Sequence, residues 1–137
     1  MIRLSRKIEF NASRKLWRAD WSEEKNRAVY GDESPHGYGH NYALEVEVEG
    51  EIEPDKAMVV NLTDLDRILK EEVDRPLDHK NLNLDVPEFR DAVPTFENLA
   101  RWIWERIAAR LARENWPCRL ARLRLSPAPD LAVEIEA

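Results

Sequence analysis

The chain has 137 residues, of which 43% are hydrophobic and 35% charged, with a net charge of −6. This length suits a single folding unit over residues 1–137, and the composition excludes a disordered or fibrous polymer. No apolar run approaches the roughly 20 residues that cross a bilayer, and no signal-like core follows Met1, so the expected location is the cytoplasm, away from membrane. The acidic balance argues against nucleic acid as a partner, and one cysteine, Cys118, excludes a disulfide framework.

Ile2, Leu4, Ile8, Phe10 and Ala12 share one parity and polar residues the other, which predicts a half-buried strand. Ser22 to Ala28 suits a short helix. A second strand carries Tyr42, Leu44, Val46 and Val48 on one face, Glu45, Glu47 and Glu49 on the other, and stops at Gly50. Leu62, Leu65, Ile68, Leu69 and Val73 recur at helical spacing behind a cap at Asn61 or Thr63, and Pro76 should end that helix. A longer helix is expected from about Thr95 to Asn115, on the stripe Phe96, Leu99, Ile103, Ile107 and Leu111. Two strands close the chain, Leu120 to Ser126 and Leu131 to Glu136, around a Pro-Ala-Pro-Asp turn. Arg119, Arg122 and Arg124 are expected on one solvated strand face. The order is ββααββ, an α+β arrangement with an antiparallel sheet covered by helices on one face. The uncovered face makes a homo-oligomer the sensible expectation.

Only three histidines are available, His36, His40 and His79. Tyr38 and His40 share the inward parity of their strand, and Arg14 that of the first, so a hairpin would bring the three together at one end of the sheet. Such a convergence is what a binding site requires. The plainer reading pairs Arg14 with a carboxylate and makes His40 a satisfied core residue. Asp78 beside His79 could orient an imidazole for proton transfer, although sequence neighbours usually point apart. Cys118, after Pro117 in a connector, reads as structural rather than nucleophilic.

Taken together, Phe10-Asn11-Ala12-Ser13, Trp21 to Arg27 followed by Tyr30-Gly31, Gly39-His40-Asn41-Tyr42, Met58 to Leu65, Leu77 to Asn83 and Pro94 to Ala100 resemble the 6-pyruvoyl-tetrahydropterin synthase family in order and spacing. The resemblance implies a T-fold, with a four-stranded antiparallel sheet and two helices, assembled as a trimer or hexamer. It also implies lyase chemistry on dihydroneopterin triphosphate or a related pterin, with zinc on three histidines, a cysteine base, an Asp–His proton relay and a late-strand glutamate holding the pterin ring. Carried over position by position, the zinc histidines fall on Arg14, Tyr38 and His40, and the relay on Asp78 and His79. The cysteine position falls on Glu33 counted from Tyr30-Gly31, or on Asp32 counted back from His40, and the ring-anchoring glutamate on Pro127-Ala128-Pro129. The expected zinc is therefore absent or altered, with His40 and, through a bulged loop, His36 as remaining ligands. In a straight strand those two would stand about 13 Å apart. Thr95 and Glu97 join Arg14 and Tyr38 as candidate substrate contacts, and Glu134 or Glu97 could replace the missing anchor. Three readings stay open: a pterin-acting enzyme with Glu33 as base and Arg14 in place of metal charge, a non-catalytic ring that binds a pterin- or purine-like ligand or a protein, and an enzyme for another planar heterocycle.

Overall fold

The computed structural model describes residues 1–32 and 34–137. Strand β1 (Ile2–Arg14) pairs antiparallel with β2 (Tyr38–Gly50) through thirteen consecutive rungs, from Ile2 opposite Gly50 to Arg14 opposite Tyr38. Between them stand α1 (Glu23–Tyr30) and a 3₁₀ turn (Ser34–His36). Strands β4 (Cys118–Ala128) and β5 (Leu131–Glu136) extend the sheet beyond β2, each antiparallel to its neighbour. The expected sheet of four antiparallel strands needs one correction. A two-residue strand, β3 (Lys80–Asn81), lies parallel to Ala12 and Ser13, which gives a five-stranded mixed sheet in the order β3-β1-β2-β4-β5. Cys118 opens β4 and does not lie in a connector.

Helices α2 (Leu62–Leu69) and α5 (Phe96–Arg113) lie over the apolar face, with Leu65, Ile68, Leu99, Ile103 and Ile107 packed on Tyr42, Leu44, Leu123 and Leu125. The caps follow the sequence: Asn61 accepts from the Thr63 amide at 2.9 Å, and Thr95 Oγ1 from the Asn98 amide at 3.1 Å. Pro76 does not end the first helix as expected. The helix widens into a π turn (Lys70–Asp74) and continues as the short α3 (Arg75–Leu77), with a chain direction that delivers Asp78. Proline lacks the amide that would bond the carbonyl four residues back, and its ring crowds that carbonyl. Here that carbonyl belongs to Glu72, and Arg106 Nε donates to it instead at 3.1 Å. A single-turn α4 (Leu82–Asp85) and a 3₁₀ turn (Pro87–Arg90) lead to α5.

The other face is a lattice of charge. β1 contributes Arg3 and Lys7, β2 the three glutamates, β4 the three arginines and β5 Glu134 and Glu136, so columns of opposite sign alternate. Arg119 has the wrong parity for this face by simple counting. The register shifts between Glu47 and Val48, where Ala121 is left unpaired, and this bulge returns Arg119 to the side of Arg122 and Arg124. Glu49 is 5% exposed and sits between Arg119 (2.6 Å) and Arg3 (3.1 Å).

Two expectations follow for stability. A β-carbon on Gly50 would collide with the Pro117 carbonyl, so Gly50→Ala should destabilise by about 1–3 kcal/mol in urea unfolding. Arg119, and after it Arg3, hold the Glu49 carboxyl below its usual value of 4.5. The unfolded chain then takes up that proton first, so this contribution is complete above pH 4.5 and is lost as pH falls through the depressed folded value. Glu49→Gln should flatten the acid limb of a stability–pH profile in that window.

Candidate functional site

Where β1 ends and β2 begins, Arg14 faces Tyr38 and Ala12 faces His40 across the hairpin, as the parity of the sequence predicts. Arg14 is 6% exposed, and its Nη1 donates to the Pro94 carbonyl at 2.8 Å. Its guanidinium carbon stands 3.7 Å from the centre of the Phe96 ring, a cation–π contact in a desolvated setting. His40 meets Phe96 edge-on at 5.3 Å and Tyr42 at 5.5 Å. The plainer expectation, a carboxylate partner for Arg14 and a satisfied His40, is not what the described residues provide. Arg14 Nε, His40 Nε2 and Tyr42 Oη are all buried without a hydrogen-bond partner among them.

Charge and burial set the protonation of this cluster. Burial, then the nearby Arg14 cation, lowers the His40 pKa and favours a neutral imidazole. Burial pushes the Tyr42 phenol up to about 12, so it remains a donor at neutral pH. Arg14 is itself lowered by desolvation, but a guanidinium remains a cation under any physiological condition.

These residues do not fit a three-imidazole zinc site. A guanidinium carries no lone pair for a metal and places a positive charge where a dication would sit, and Tyr38, 42% exposed, offers a neutral phenol. His36 does not lie in a straight strand with His40, since it ends the 3₁₀ turn and Gly37 follows at φ +75°. Its side chain is exposed. Among the described residues, no three His, Cys, Asp or Glu side chains converge.

The Asp–His pair is built from the backbone outward. His79 has φ +60°, a left-handed conformation uncommon for a residue with a side chain. Its amide donates to the Asn11 carbonyl at 2.5 Å, and Asp78 Oδ1 accepts from the Asn11 amide at 2.8 Å. This two-way clamp turns the imidazole back, so that Nδ1 lies 2.9 Å from Asp78 Oδ2 while 81% of the His79 side chain faces solvent. The general expectation that neighbouring side chains point apart fails here because of that one backbone angle. The Asn11 amide bond, and then the His79 contact, hold the Asp78 carboxyl below its ordinary range. The pair adjoins the hairpin site through Asn11 and Ala12, which β1 shares with both.

The remaining candidates make no hydrogen bond to the hairpin cluster among the described residues, although the Glu97 charge acts on Arg14. Thr95 uses its hydroxyl as the α5 cap, and Glu97 is exposed in the first turn of that helix. Glu134 accepts from Arg122 (2.6 Å) and Arg124 (2.7 Å) and is committed to the charged face. Burial raises the Cys118 pKa, which suits a structural thiol. Glu33, the expected base, lies outside the described residues. Asn11 and Phe96 were not singled out as site residues by the sequence. Phe96 reads as one more member of an apolar stripe, and Asn11 as an outward polar position, so neither carries a local signal.

Residues 3–137 match the family described as 6-pyruvoyl tetrahydropterin synthase. The human 6-pyruvoyl tetrahydrobiopterin synthase is 47% identical over 105 residues, which span 76% of this chain and 72% of the human protein. The dihydroneopterin monophosphate aldolase of Pyrococcus furiosus is 36% identical over 126 residues, or 90% of this chain and 97% of that protein. The solved structure of the Caenorhabditis elegans 6-pyruvoyl tetrahydropterin synthase superposes with a TM-score of 0.87 at 27% identity, covering 99% of this chain and 95% of that one. With matching motifs, fold and sequence over nearly its whole length, this chain belongs to the 6-pyruvoyl tetrahydropterin synthase family.

Proposed function

We propose that this protein is a pterin-acting lyase that works without the three-histidine zinc of its family. The observation that carries this reading is the Asp78–His79 pair: a solvent-facing imidazole, oriented by a carboxylate at 2.9 Å and held in a strained backbone conformation. Strain of that kind costs about 1–3 kcal/mol and tends to be kept where function needs it. A relative named as a synthase and another named as an aldolase both support chemistry at the side chain of a dihydroneopterin-type substrate.

In this reading His79 shuttles a proton at its Nε2, and Asp78 fixes the tautomer through Nδ1. Glu33, in the cysteine position, removes a proton from the substrate side chain. Arg14 gives a fixed positive potential behind His40, which biases the pocket toward a substrate that gains negative charge.

Assembly belongs to the same proposal. Among the described residues, the outer edges of β1, beyond its short pairing with β3, and of β5 have no neighbour in the sheet. β5 runs antiparallel to β1, so the β5 of one copy can pair antiparallel with the β1 of the next and close a ring. Glu134 and Glu136 of β5 could meet Arg3 and Lys7 of β1, which favours this order of neighbours, although Glu9 on the same strand carries like charge. A trimer or a hexamer of 16.0 kDa chains is expected by light scattering.

A second reading, a ring that binds its ligand without converting it, is favoured by the burial of Arg14 beneath Phe96, where the guanidinium fills the site. Turnover of dihydroneopterin triphosphate and monophosphate separates the two. The lyase reading expects a cleaved or rearranged pterin from the wild type, and a loss of roughly 10²-fold or more in His79→Ala and Glu33→Gln with the oligomer intact. No product from any dihydroneopterin substrate, with or without added zinc, would leave only the binding ring.

A further inference from the structure

The polar atoms of the hairpin cluster that lack partners are gathered around one ring. Arg14 Nε, His40 Nε2 and Tyr42 Oη are sealed from solvent, each without a hydrogen bond among the described residues. The Arg14 guanidinium carbon stands 3.7 Å from the centre of Phe96, and the His40 and Tyr42 rings stand 5.3 and 6.2 Å from it. The His40 and Tyr42 rings are 5.5 Å from each other. All three side chains share the inward parity of the hairpin. Ala12, which follows that parity between Phe10 and Arg14, is fully buried and brings no polar group to the cluster.

What the cluster lacks is a negative charge. The Pro94 carbonyl accepts from Arg14 Nη1 and the Phe96 ring covers the guanidinium face, but both are neutral. No carboxylate among the described residues pairs with Arg14, and Glu97, whose charge acts on it, is exposed in the first turn of α5. A buried cation without a counter-charge is costly, and so is a buried donor without an acceptor. An enclosed water would satisfy the donors and leave the charge uncompensated. An anion does both.

We propose that Arg14 Nε, His40 Nε2 and Tyr42 Oη hold a monatomic anion of the chloride class, so that a cluster aligned with a metal site is inverted in charge. The Arg14 N–H and the Tyr42 O–H donate, and His40 Nε2 donates in one of its two tautomers, so all three can serve one acceptor. Their closure to solvent suits a single atom rather than a phosphate or a carboxylate. This inference does not depend on the lyase reading, since it uses none of Glu33, Asp78 and His79. Where both hold, the anion sets how much of the Arg14 charge a substrate meets.

Thermal unfolding of the full chain tests this, with chloride exchanged for gluconate at constant ionic strength. A ligand held only by the folded state raises the midpoint with the logarithm of its concentration, so a hundredfold range of chloride should raise it by roughly 5 °C. Arg14→Gln should lose most of that rise. So should Tyr42→Phe, which keeps the ring stacked on Phe10 and removes only the hydroxyl. Arg124→Gln, on the charged face, should keep it. In a crystal grown with bromide, one anomalous-scattering peak per chain is expected beside Arg14. A wild-type midpoint indifferent to halide, or a rise that all three variants share, overturns the inference. A rise that appears only in Glu33→Gln also overturns it, because the occupant is then the chain's own carboxylate. Added zinc should produce no rise, and a zinc-dependent rise that His40→Ala abolishes would replace the anion by a metal.

Discussion

The uninterrupted pairing of β1 with β2 is the constraint on which everything else in this molecule depends. Thirteen rungs without a bulge mean that one parity governs both strands from end to end. That parity buries Phe10, Tyr42, Leu44 and Val46 under the helices, and it assigns Arg3, Lys7, Glu9 and the three glutamates of β2 to the opposite side. It also sets Arg14 across from Tyr38 and Glu9 across from Ala43. A slip of one residue would exchange the two faces, so the core and the site are specified by the same hydrogen bonds.

Charge on the open face is organised rather than merely solvated. Long arginines from β1 and β4 reach the glutamates of β2 from both sides, and Arg122 alone touches Glu45 and Glu134. Exposed ion pairs each contribute little, about 0–1 kcal/mol, so their value here lies in specifying neighbours. The β1 edge carries Arg3, Lys7 and Glu9 on this face, and the β5 edge Glu134 and Glu136. Such a surface discriminates between partners more than it stabilises the chain.

The residues gathered around Arg14 at one end of the sheet are mutually consistent. The buried arginine there is a charge that must be housed. The Pro94 carbonyl and the Phe96 face house it, and burial together with that charge keeps His40 neutral. The Asp–His pair, by contrast, does not touch this cluster and is anchored by the backbone of Asn11. Family membership therefore fixes the scaffold firmly and leaves the chemistry of the pocket to the residues present.

Much of this was legible in the residues. Alternation and helical spacing located the strands, both long helices and their caps, because each depends on contacts within a few residues or on one buried face. Parity alone placed Arg14, Tyr38 and His40 together. Other features depend on contacts between residues far apart in the chain. At the π turn before Pro76, Arg106, thirty-four residues away, takes the carbonyl of Glu72. The Ala121 bulge is visible only in the pairing of two strands, and β3 is too short to leave a pattern. His79 turns toward Asp78 because Asn11 grips both, sixty-seven residues from the aspartate. Sequence determined which residues would be buried and which strands would carry charge, since hydrophobic periodicity is a local property. Tertiary structure decided which polar groups find partners and which are left open, because hydrogen bonds and ion pairs are settled only once distant segments meet.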